Sequence, residues 1–85
     1  MEYIAVAFRS REHTVKFSGY LTDHGISNAI INTPTEAGVG CGLSVKISKT
    51  AFPVVKNILL NGRPNSFAGY FLVVDGLGKR TVKTI

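Results

Sequence analysis

A single cysteine, Cys41, in a chain of 85 residues excludes an internal disulfide. Long apolar runs are missing too: none approaches the roughly 20 residues that a membrane-spanning helix needs. A basic leader ending in small residues is also lacking, because Met1-Glu2-Tyr3 opens directly into a strand-like pattern. A cytoplasmic protein with Cys41 reduced at rest is therefore expected. Acidic residues are scarce, five against ten Lys and Arg, which gives a formal charge of +5. The positive residues are spread as Arg9/Arg11, Lys16, Lys46/Lys49, Lys56, Arg63 and Lys79/Arg80/Lys83, with a local concentration only on the C-terminal strand, as on an ordinary solvated surface. That spread argues against nucleic acid as a partner. No Gly-x-Gly-x-x-Gly follows a strand, no P-loop lysine occurs, and no Ser/His/Asp set is present. One Cys with His13 and His24 falls short of the roughly four ligands of a structural zinc site, so neither metal nor cofactor is expected.

What is present is enough for one compact domain, residues 1–85. The chain is 45% hydrophobic and only 18% charged, outside the range of disordered chains, and a domain of this size buries about 60–65% of its unfolded surface. Tyr3 to Phe8 is rich in strand formers and predicts a strand with one face on a core. Ser10 stands as an N-cap, Glu12 and Lys16 form a favourable i,i+4 pair, Phe17 and Leu21 share a stripe, and Gly25 takes the place of a C-terminal stop, so residues 11–24 predict a helix. His24 fits a favourable charge at that helix's C-terminus.

Ser27 to Asn32 predicts a second strand, and Thr33 to Gly42, with Pro34 and three glycines, a loop. Leu43 to Ser48 alternates with period two and predicts a half-buried strand. Thr50 can cap the next helix, with Pro53 in its first turn and Asn61-Gly62 at its end. Phe67 to Val74 predicts a strand, Asp75 to Gly78 a hairpin turn, and Lys79 to Ile85 a last strand. The core is expected to draw on Ile4 or Ala5, Val6, Phe17, Leu21, Ile31, Val45, Ile47, Val55, Ile58 and Leu59.

Strand, helix, strand, strand, helix, strand is the order of an α+β ferredoxin-like βαββαβ fold, an antiparallel sheet with two helices on one face, here with an extra C-terminal hairpin strand. In that topology the loop before the third strand comes to the sheet end where helix one begins. Cys41 is then expected near Ser10, Arg11 and His13, with Arg63 and Asn65 along the same edge. Cys41 stands between Gly40 and Gly42, whose lack of side chains leaves a sulfur approachable. Helix-start amides and Arg9, Arg11 or Arg63 would favour its thiolate, and His13 is the candidate acid–base partner. The C-terminus of the second helix would act in the opposite sense. A buried, inert thiol is the other reading of a lone cysteine.

Phe8-x-Ser10, His13-Thr14, Leu21, Gly25-Ile26, Thr33-Pro34 and Cys41-Gly42-Leu43-Ser44-Val45 together resemble the selenium/sulfur carrier-like proteins, over about Tyr3 to Tyr70. The resemblance implies that Cys41 accepts sulfur or selenium as a persulfide or selenopersulfide, without cofactor. It also implies partners among cysteine desulfurases, small sulfurtransferases and selenophosphate-forming enzymes. Two features depart from it. Relatives often carry serines and a basic residue after Thr-Pro, where this chain has Thr35-Glu36-Ala37-Gly38-Val39-Gly40. The strand from Lys79 to Ile85 runs past the family's usual end, to close a sheet edge or build a homodimer. The competing expectation is a non-catalytic ferredoxin-like module for interaction or ligand sensing, since such domains serve both uses.

Overall fold

The computed structural model describes residues 1–38 and 42–85. Among the described residues, five strands and two α-helices follow one another as β1 (Glu2–Phe8), α1 (Arg11–Asp23), β2 (Ala29–Asn32), β3 (Leu43–Ile47), α2 (Phe52–Leu60), β4 (Phe67–Gly76) and β5 (Lys79–Thr84). The strands form one antiparallel sheet in the order β2-β3-β1-β4-β5. An α+β chain of this kind is compatible with the ferredoxin-like plan.

The sequence expectation for β1 was one buried face, whereas Ile4 to Phe8 are all buried. Alternation of side chains along a strand explains how. Ile4, Val6 and Phe8 pack with Val45 and Ile47 of β3, Leu21 of α1, and Val55 and Leu59 of α2 in one cluster. Ala5 and Ala7, on the opposite face, pack with Phe71 and Val73 of β4 in a second. Both helices thus supply the first cluster, where Phe8 meets Phe17 of α1 at 5.3 Å and Phe67 of β4 at 5.9 Å between ring centroids.

The second face is covered by other means. A 3₁₀ turn at Thr35–Ala37, inside the segment read from sequence as a plain loop, sets Ala37 against Ala5, Ala7, Phe71 and Val73, and Pro34 is buried. Ser44, on the supposedly solvated side of β3, is consequently buried as well. A pattern of alternation cannot report a cover that comes from a distant part of the chain.

Four expectations are corrected. Ser48, not Thr50, is the capping residue before α2: its hydroxyl accepts from the Ala51 N–H at 3.2 Å and opens a 3₁₀ turn, Lys49–Ala51, that leads into the helix. Thr50 instead shares a hydroxyl hydrogen bond with Ser48. Asp75 and Gly76 are not turn residues but the last of β4, paired with Arg80 and Lys79, so the reversal falls on Leu77-Gly78. β2 begins at Ala29, two residues later than expected. Phe17, Ile31 and Ile58, expected in the core, are only partly buried.

Candidate functional site

The antiparallel registers bring five described chain segments to one end of the sheet. Phe8 pairs with Phe67, Ala7 with Ser44, and Asn32 with Leu43, so β1 and β2 end where β3, β4 and α1 begin. Ser10 caps α1, accepting the His13 N–H at 3.2 Å, and Thr14 donates its hydroxyl to the Ser10 carbonyl at 3.0 Å. The first of these bonds satisfies a helix-start N–H that has no partner within the helix, while the Ser10 carbonyl also accepts the Thr14 N–H at 3.0 Å.

His13, half-buried on the first turn, reaches with Nδ1 to the Ser66 hydroxyl just before β4. That places the imidazole against the β4 side of the edge, an assignment no sequence spacing signals because Ser66 lies in an unremarkable turn. Arg63 is exposed, and its guanidinium lies over the Phe67 ring at 5.4 Å from the centroid. Arg11 is exposed on the first turn. Gly40 and Cys41, the centre of the expected site, lie outside the described residues.

The Thr33 N–H donates to the Gly42 carbonyl at 2.9 Å, one rung beyond the β2/β3 ladder, and the Thr33 and Ser44 hydroxyls are 2.7 Å apart. Gly42 has φ +98°, a backbone conformation that L side chains rarely adopt. Thr33-Pro34 and Gly42-Leu43-Ser44, singled out in the sequence as two ends of one pattern, are therefore two sides of a closed neck. One bond ties the backbones and the other ties a buried hydroxyl.

Between the neck and the far sheet edge, Glu36 accepts two bonds from Arg80 of β5, Nη2 to Oε1 at 2.8 Å and Nε to Oε2 at 3.1 Å. The Arg80 hydrogen bonds hold the Glu36 carboxyl well below its ordinary range, down to about 2. On the helix side, a cleft of about 430 Å³ opens between α1 and α2, with Phe8, Phe17, Tyr20 and Leu59 in its walls and His13 and Lys16 also lining it. Among the described residues no cluster of three or more His, Cys, Asp or Glu side chains is placed to hold a metal ion. No helix among them is long and apolar enough to cross a membrane.

Comparison with known proteins returned no match among curated proteins or solved structures. The family described as Putative Se/S carrier protein-like matches residues 2–64. That segment runs from the start of β1 to just beyond α2 and takes in both sides of the neck; the chain belongs to this family.

Proposed function

We propose that the protein carries sulfur or selenium, with Cys41 as the accepting residue. The observation that carries this reading is family membership over residues 2–64. The neck supports it, because Thr33, Gly42 and Ser44 pin both ends of the segment that contains Cys41. In the transfer, the Cys41 thiolate attacks the outer sulfur of a donor persulfide. A new S–S bond forms, the donor's S–S bond breaks, and the donor leaves as thiolate, with no net oxidation. Delivery repeats the step with an acceptor nucleophile. Such exchange asks for a reachable, partly ionised sulfur.

Ser10, with its capped helix start, and Arg11, His13 and Arg63 are the supporting groups at the same sheet end, with Gly40 and Gly42 leaving room at the thiol. Its partners are cysteine desulfurases or small sulfurtransferases and, for selenium, a selenophosphate-forming enzyme that would receive it, in the cytoplasm. The fold is ferredoxin-like, βαββαβ with β5 appended, which the strand order supports.

The test is intact mass after anaerobic incubation with a cysteine desulfurase and cysteine, or selenocysteine. A gain of one sulfur or selenium mass on the native chain, absent in Cys41→Ser, is the expected result. No gain would sink the carrier reading and favour the ligand-sensing one, which the aromatic-walled cleft between α1 and α2 supports.

A further inference from the structure

The cleft between α1 and α2 has a stripe of α1 for one wall. His13, Phe17 and Tyr20 recur at i, i+4 and i+7, which puts them on one side of the helix, and Lys16 lines the cleft beside them. The rings of Phe17 and Tyr20 are nearly parallel, 6° apart in plane with centroids at 6.4 Å, and Tyr20 stacks in turn on His24 at 4.1 Å. Ile58 and Leu59 of α2 supply the other, aliphatic wall of a space of about 430 Å³, within the range of small-molecule sites.

Charge in the cleft has one sign. Lys16 and His13 line it, and no carboxylate does. The Lys16 ammonium is paired with Glu12 at 3.0 Å, but the two side chains are 72% and 71% exposed. An exposed i,i+4 pair of this kind is weak and open to competition. His13 meets the Ser66 hydroxyl through Nδ1, and its Nε2 has no hydrogen-bond partner among the described residues. When Ser66 donates to Nδ1, Nε2 carries the ring hydrogen and is a donor. At the end of α2, the carbonyls of Asn57, Ile58 and Leu59 already accept from the Asn61 and Gly62 N–H groups, so these are not open to repel an anion.

We propose that this cleft binds a small organic acid with a flat apolar body, an arylalkanoate. Its ring lies between the aromatic wall of α1 and the aliphatic wall of α2, and its carboxylate meets Lys16 and His13. Lys16 precedes Tyr20 by roughly 6 Å along the helix axis, a reach that a two-carbon tether between ring and carboxylate spans. A cation of the same shape would meet Lys16 with no carboxylate in the cleft to hold it. None of the lining residues lies between Thr33 and Ser44, so the site gives substance to the ligand-sensing reading without depending on whether Cys41 carries sulfur.

Amide NMR titration of the full chain with hydrocinnamate tests it. Saturable shifts confined to α1 and the end of α2 are expected at millimolar concentration, with phenylpropylamine and propionate at least tenfold weaker. Lys16→Gln and Tyr20→Ala, each a change at an exposed position, should weaken hydrocinnamate at least threefold. Glu12→Gln releases Lys16 from its pair and should tighten binding about twofold. Salt at about 1 M should bring the wild type close to Lys16→Gln, because the ammonium is exposed. Equal binding of the amine, or wild-type affinity in Lys16→Gln, overturns the choice of an acid, and absence of shifts in the cleft overturns the site. Cleft shifts that follow protein concentration alone, with sedimentation as a dimer, give this face to a second copy and overturn it likewise. The sulfur mass gain is read on the wild-type chain in a separate experiment, so failure of the carrier reading and failure of this site are distinguishable.

Discussion

Ser44 is the residue where burial and hydrogen bonding are most tightly joined, since its hydroxyl is buried and faces Thr33 across the neck. Thr33→Val keeps the shape and leaves that hydroxyl without this partner, so urea denaturation should show a loss of about 1–3 kcal/mol. Adding Ser44→Ala removes the stranded group, and the double variant should lose less than the two single losses combined. Glu36 gives a prediction in pH. Its carboxyl sits near 2 when folded against an ordinary 4.5, so the folded state binds its proton less readily and gains stability from it above about 4.5. That contribution should fade as pH drops from there toward about 2, and Glu36→Gln should flatten this stretch of the pH–stability curve. Neither residue was legible as a structural anchor in the sequence. Ser44 sat in the polar half of an alternating pattern, and Glu36 in what looked like a loop, because their partners are supplied by Thr33 and by Arg80, 11 and 44 residues away in the chain.

Elements were far more legible than their partners. Ser10, Gly25 and Pro53 mark α1 and α2 by local rules that hold in any context, and Val45 and Ile47 mark β3 by period two. Where the reading slipped, local signals competed. Asp75-Gly76 carries a stronger turn signature than Leu77-Gly78, yet the ladder between β4 and β5 runs on through it and places the reversal at Leu77, φ +28°, and Gly78, φ +78°. A leucine with positive φ is strained, so Leu77→Asn should stabilise the hairpin by about 1 kcal/mol, read as a higher denaturation midpoint with an unchanged slope. In α2 the weight falls on Leu59, 2% exposed, and not on half-buried Ile58. Leu59→Ala should cost about 2–5 kcal/mol and Ile58→Ala clearly less.

For the whole molecule, β5 covers a sheet edge as well as holding Glu36 through Arg80. Its Thr81 and Val82 pair with Val74 and Val73, so a chain ending before Lys79 presents the ladder edge of β4 to solvent. Such a chain should associate at concentrations where the full protein sediments as a smaller species, because an unpaired strand edge templates pairing. The order of strands also governs how the protein comes to be made. β1, which precedes the other four strands in sequence, lies at the middle of the sheet, and one of its two neighbours is β4, while the Met1 ammonium donates to the Asp75 carbonyl. Its native pairing therefore closes a loop of nearly the entire chain, the kind of distant contact that slows folding. The family-matched segment, residues 2–64, ends before β4. During synthesis on the ribosome, the face of β1 that carries Ala5 and Ala7 waits for Phe71 and Val73 of β4 to emerge, and until then the chain is open to misassembly.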